Sequence, residues 1–244
     1  MRLRISFARE LTLAAISGIG TYYEAAESRL QAVEDKELAQ IRDTAAAQHW
    51  EYDDWDIARQ EHEMTFNMLI PNYFRYSCIV LLYLVLENKL KEICAIVQEP
   101  TCKPLPGFDR AVVARCKKYL KDTVGFSTHL WKHIEDLSKI RNYIVHASGR
   151  VEGRHAEHVG HLAKTGIGIR VSGAVGEMPA HPLPLYLEKD MIVIEPSYCR
   201  WIIKTVYEFF EGLCGALSLP AMSIDSAGES PSQIPNGGYN ASED

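Results

Sequence analysis

Residues 127–148 read STHLWKHIEDLSKIRNYIVHAS, and the fold is decided there. Ser127 or Thr128 can cap a helix start and Gly149 can stop it. Between them Leu130, Ile134, Leu137, Ile140 and Ile144 recur in steps of four, three, three and four, the stripe of an amphipathic helix. At about 100° per residue Arg141 falls in phase with Ile134 and Leu137. Asn142 and His146 lie one turn apart on a neighbouring face. A charge at a core-phase position needs a cause, because an unpaired buried charge costs several kcal/mol. It is either paired or snorkelling to water, or it borders a cleft where Arg141 meets an anion and His146 moves protons.

Arg141-Asn142-Tyr143-Ile144-Val145-His146 fits R-N-x-x-x-H, and with it the chain resembles the HEPN family (higher eukaryotes and prokaryotes nucleotide-binding). A second stretch, residues 75–94 (RYSCIVLLYLVLENKLKEIC), resembles the long helix of the larger HEPN proteins, where an apolar run ends in a glutamate, here Glu87. The resemblance spans roughly residues 50 to 217. It implies a mainly α fold, an up-and-down helical bundle, working as a homodimer. It also implies metal-independent RNA cleavage in a cleft shared by two motif helices, with no cofactor. In that chemistry a base takes the proton of a ribose 2′-hydroxyl and the oxygen attacks the adjacent phosphate, so DNA is not a substrate. His146 suits the proton transfer, since imidazole titrates near pH 6.5. Arg141 offers a planar fork for two phosphate oxygens, and Asn142 can orient the imidazole or the phosphate. Glu87, by the family pattern, would sit near Arg141 and help hold it; alternatively it is a surface pair with Lys91. The second His146 of a dimer would act as acid to the first one's base. A toxin or defence effector, restrained by an antitoxin or regulatory partner protein, is the implied setting. Some family toxins carry a tyrosine two residues after the motif histidine, which a partner nucleotidyltransferase modifies; here that position is Ser148.

Composition bounds the alternatives. The net charge of −6 argues against broad nucleic-acid affinity, but the charge is uneven. Residues 103–154 hold eleven Lys/Arg against five Asp/Glu, a balance of +6 that leaves −12 for the rest. A basic segment around the motif suits local capture of a phosphate backbone, and equally a solvated helix face. The longest unbroken apolar run, residues 79–86, is far short of the ~18 residues of a membrane span. Arg9 and Glu10 interrupt any signal-peptide core. A cytoplasmic protein with no membrane partner is expected. None of the six cysteines forms a C-x-x-C pair, and free, mostly buried thiols are expected.

In chain order, Leu3, Ile5 and Phe7 alternate and suggest a strand or extended arm. Residues 10–48 read as helix, with a break allowed at Gly18 and Gly20. Residues 52–98 form a second helical stretch, kinked or broken at Pro71. Three prolines mark residues 99–107 as a connection, and Asp109 can cap a short basic helix through Lys121. Over about 162–195 a small β insertion is expected, with a weak strand at 167–171 and a hairpin pairing 185–187 with 192–194. Pro196 opens the last helix, to about Leu217, with Ile202, Val206, Phe209, Leu213 and Leu217 in one stripe. One domain over 1–217 and a disordered tail over 218–244 complete the outline. His155, His158 and His161 could bind a metal if helical, but they lack an acidic or cysteine complement, so no metal is assigned. Gly166-x-Gly168 lacks the lysine and helix of a phosphate loop. Two rivals to the nuclease stand: a non-catalytic dimeric HEPN module that binds a nucleotide or protein partner and uses Arg141 structurally, and a metal-dependent hydrolase built on the 155–161 histidines.

Overall fold

A computed structural model of the chain describes residues 1–108, 111–172 and 191–218. The fold is mainly α, with one small antiparallel hairpin before the last helix. The helices are α1 (Arg2–Gln48), α2 (Tyr52–Glu63), α3 (Ile70–Thr101), α4 (Val112–Val124), α5 (Trp131–Ala147), α6 (Arg154–Ala163) and α7 (Pro196–Ser218); the strands are β1 (Ile169–Val171) and β2 (Ile192–Ile194). Four helices make the bundle. Arg4 pairs with Glu99 at one end of α1 and Glu27 with Arg75 further along, so α3 runs antiparallel to α1. Arg9–Glu211 and Arg200–Glu24 orient α7 the same way as α3. Tyr83 against Ser138 and Tyr76 against Gly149, just past the end of α5, set α5 antiparallel to α3. The stripe of α7 and most of α3 close the core, where Trp131, Phe126, Phe209 and Phe210 meet edge to face.

Several local expectations are corrected. The first residues are helical from Arg2, because Ile5, Ala8 and Thr12 pack inward at helical spacing while Leu3 and Phe7 stay exposed. Gly18 and Gly20 do not break α1; Gly20 sits close to Ile203 of α7, where a small residue suits the approach. The interruption at Pro71 takes a different form: a π-helical turn, Met64–Leu69, precedes α3, and Pro71 occupies its first turn, where the missing N–H costs nothing. α5 starts at Trp131, later than its sequence suggests, because Thr128 Oγ1 accepts from Leu130 N at 3.3 Å and holds a turn there first. β2 pairs with β1 in register, Ile169 opposite Ile194 and Val171 opposite Ile192. The expected partner strand at 185–187 lies outside the described residues, as do the proposed Asp109 cap and the tail beyond Ser218. All six cysteines are free thiols and all but Cys102 are buried.

The helical stretch Tyr52–Thr101, from α2 through the π turn to α3, is long and apolar enough to cross a membrane by length and composition, although its longest unbroken apolar run is short. In the fold α3 packs against α1, α4, α5 and α7. Ile70, Tyr73, Leu81 and Leu84 are exposed, so α3 keeps an apolar outer side.

The hairpin positions the end of the motif helix. Asn72, at 2% exposure, donates from Nδ2 to Ile192 O at 3.0 Å and accepts from Ile194 N at 2.9 Å, pairing with β2 as a strand would. Arg75 Nη1 donates to Ile194 O at 3.0 Å while its guanidinium grips Glu27 at 2.7 and 3.0 Å. Ile192 N in turn donates to Gly149 O at 2.8 Å. Gly149 has φ +82° and lies under the Tyr76 hydroxyl, where an added Cβ would come within 2.1 Å of the oxygen. Only glycine fits both demands.

Candidate functional site

Arg141 is half-buried on the side of α5 that faces α3. Its guanidinium carbon lies 5.1 Å from the Tyr83 ring centre, and Nη1 donates to Asn142 Oδ1 at 2.9 Å. Nε is buried with no hydrogen-bond acceptor. No carboxylate neutralises this arginine among the described residues; the aromatic face takes that part, a contact worth ~0.5–2 kcal/mol depending on desolvation. The core-phase position is thus resolved by an emerging head group on a buried stem. Asn142 and His146 are exposed, one turn apart, on the outward side of α5. The structure therefore links Arg141 to Asn142 directly and places His146 one turn beyond Asn142 on the same outward side of α5.

Glu87 accepts from Lys91 Nζ at 2.8 Å and makes no ion pair with Arg141. It stands one turn along α3 from Tyr83, the residue that does carry Arg141. Tyr83 is fixed in turn by Ser138, whose hydroxyl lies 3.2 Å from its own. Sequence reasoning missed Tyr83, though an aromatic one turn before Glu87 was available as a platform for a cation.

The three histidines after the motif are helical, on α6. His155 Nδ1 lies 3.2 Å from the Tyr143 hydroxyl, and the two rings are 4.9 Å apart. His158 Nε2 approaches Asp136 Oδ1 at 3.6 Å. His161 is exposed. The helix turns His155 and His158 toward α5 and His161 outward, and no group of three metal-ligating residues forms among the described residues. Burial holds the His158 imidazole below its ordinary pKa, helped by Lys139, against the pull of Asp136. Burial likewise lowers His133, beside Trp201, and raises the Tyr143 phenol. Asp136 is 7% exposed with Oδ2 unpartnered. It lies two turns before Tyr143 and about 40° outside the α5 stripe, so spacing alone does not single it out.

Two surface depressions flank the end of α5. One, about 430 Å3, is an apolar groove between α3 and α5 lined by Tyr73, Ser77, Val80, Leu81, Leu84 and Ile144. The other, about 620 Å3, lies between α5 and α6 beside Ser148, Arg150, Glu152 and His155. No protein-family model, curated protein or solved structure matches the chain.

Proposed function

We propose that this protein is a metal-independent endoribonuclease of HEPN type, a cytoplasmic toxin or defence effector that cleaves RNA in the cleft of a homodimer. The observation that carries the reading is the Arg141 head group, positioned by Tyr83 and Asn142 with no carboxylate partner among the described residues, on the helix that also exposes His146. A guanidinium spared an acidic partner keeps its charge for an incoming phosphate. The apolar outer side of α3, next to the same helix end, supports the pairing of two subunits there. One His146 takes the 2′-hydroxyl proton, the 2′-oxygen bonds to phosphorus, and the P–O5′ bond breaks. The second subunit's His146 protonates the departing 5′-oxygen, leaving a 2′,3′-cyclic phosphate.

The test is incubation of purified protein with RNA in EDTA beside the Arg141→Ala/His146→Ala variant. Cleavage by the first protein alone supports the proposal; equal cleavage by both ends it. One observation favours the non-catalytic module instead: Arg141 stacks on Tyr83 with Nε buried, as a structural arginine would. That reading expects RNA to remain intact with either protein and Arg141→Ala to split the dimer.

A further inference from the structure

α1 is far longer than the bundle needs. Its buried residues end at Tyr23, and the Glu27–Arg75 clasp marks where it leaves the body. From there it continues to Gln48 and returns as α2 and the π turn, a two-helix arm projecting about 30 Å at 1.5 Å per residue. The arm has almost no interior. Between Ser28 and Glu63 only His62 is buried, held by Glu34 O at 3.2 Å, while Val33, Tyr52 and Ile57 are 45%, 78% and 48% exposed. Helices draw most of their stability from packing, so a pair this bare presents a face for something to cover.

The charge says what fits. Residues 28–63 hold ten Asp/Glu against four Lys/Arg, a balance of −6. Two arms laid together would repel, and the cover must be basic. The same chain supplies a basic surface in residues 103–154, where Lys118 and Lys121 are exposed on α4 and pair with no acid among the described residues. α4 packs on the far half of α3, Cys116 meeting Cys94, at the end of the bundle opposite the arm. α1 is one unbroken helix, so the arm cannot fold back onto its own α4.

We infer that the acidic arm of one molecule clasps the basic α4 face of a second copy of this chain, in a two-fold dimer with each arm reaching past the other body. The inference shares the subunit pairing of the proposed nuclease but not its chemistry. Lengths agree with it. On α3, Ile70 at the arm's base is about 20 Å from Tyr83 and Thr101 about 27 Å the other way, at 1.5 Å per residue. A two-fold axis at the level of Tyr83 and Arg141 therefore brings the partner's α4 alongside the lower half of the arm.

Sedimentation velocity of the full chain tests this in about 0.05 M and 0.5 M NaCl, across a range that collapses the screening length severalfold. A dimer whose dissociation constant rises about tenfold or more with salt is expected. Asp35→Lys/Glu37→Lys/Glu61→Lys and, separately, Lys118→Glu/Lys121→Glu should each give monomer at low salt, and the two sets combined should restore the dimer. All five positions are solvent-accessible or nearly so, and circular dichroism checks that each variant is folded. A monomer at both salts, a dimer indifferent to both charge sets, or failure of the combined variant to re-form would overturn the clasp. RNA cleavage in EDTA is scored separately, so loss of the clasp and loss of the nuclease reading are told apart.

Discussion

Replacing Asn72 with alanine should show how far the motif helix depends on the hairpin. The side chain is 2% exposed and bonds β2 twice, to Ile192 O at 3.0 Å and from Ile194 N at 2.9 Å. Truncation does not orphan Ile192 O, which also accepts from the Tyr76 hydroxyl. It does orphan the Ile194 N–H in a buried setting, at about 1–3 kcal/mol. The second lost bond and the void left by the amide add about 1 kcal/mol. The total, about 2–4 kcal/mol, corresponds to a fall in Tm of roughly 5–15 °C for a chain of this size. Urea denaturation followed by far-UV circular dichroism gives the free energy. Hydrogen exchange gives the location, and protection should fall first at Ile192, Ile194 and Gly149, the residues joined through that strand. The exposed Ser77→Ala on the same helix should move stability by less than ~0.5 kcal/mol. If Asn72→Ala costs no more than Ser77→Ala, or if exchange at Gly149 is unchanged, the hairpin does not anchor the end of α5.

Three further outcomes follow from the same geometry. Gly149→Ala places a side chain at φ +82° against the Tyr76 hydroxyl and should cost at least ~1–2 kcal/mol by thermal melt, with Tyr76→Phe relieving only part of it because ring carbons lie as close as 2.6 Å. His146→Ala, at an exposed position, should change stability by less than ~0.5 kcal/mol, while Arg141→Ala, losing the Tyr83 stack, should cost about 1 kcal/mol; reversed values would contradict the placement of both residues. Burial depresses the His158 and His133 imidazoles below their unfolded value of 6.5, so the folded protein binds fewer protons than the unfolded chain. Their contribution to stability is therefore complete above that value and is lost as pH falls through it, and His133→Gln/His158→Gln should flatten the urea midpoint between about pH 7 and 5.

The sequence carried the bundle well. The α7 stripe, the apolar α3 and the helical motif segment all follow from 3.6-residue periodicity, which burial enforces directly. It was least informative where neighbours decide. Leu3, Ile5 and Phe7 alternate like a strand, yet Ile5 is pulled into a helix that continues inward through Ala8 and Thr12. Pro71 announced an interruption but not its form, since a π turn is a matter of backbone bonding and leaves no side-chain pattern. At the candidate site, Arg141, Asn142 and His146 stood out by spacing, whereas Tyr83, Asp136 and His155 matter through contacts between helices. Asn72 was invisible for the same reason, its partners being more than a hundred residues away.

The unbroken course of α1 has a mechanical consequence. With no joint between His49 and the Glu27–Arg75 clasp, a sideways push at the arm's tip is not absorbed locally. The load passes to the clasp and to the length of α1 behind it, embedded between α3 and α7 from Ile5 to Tyr23, as a post carries wind into its footing.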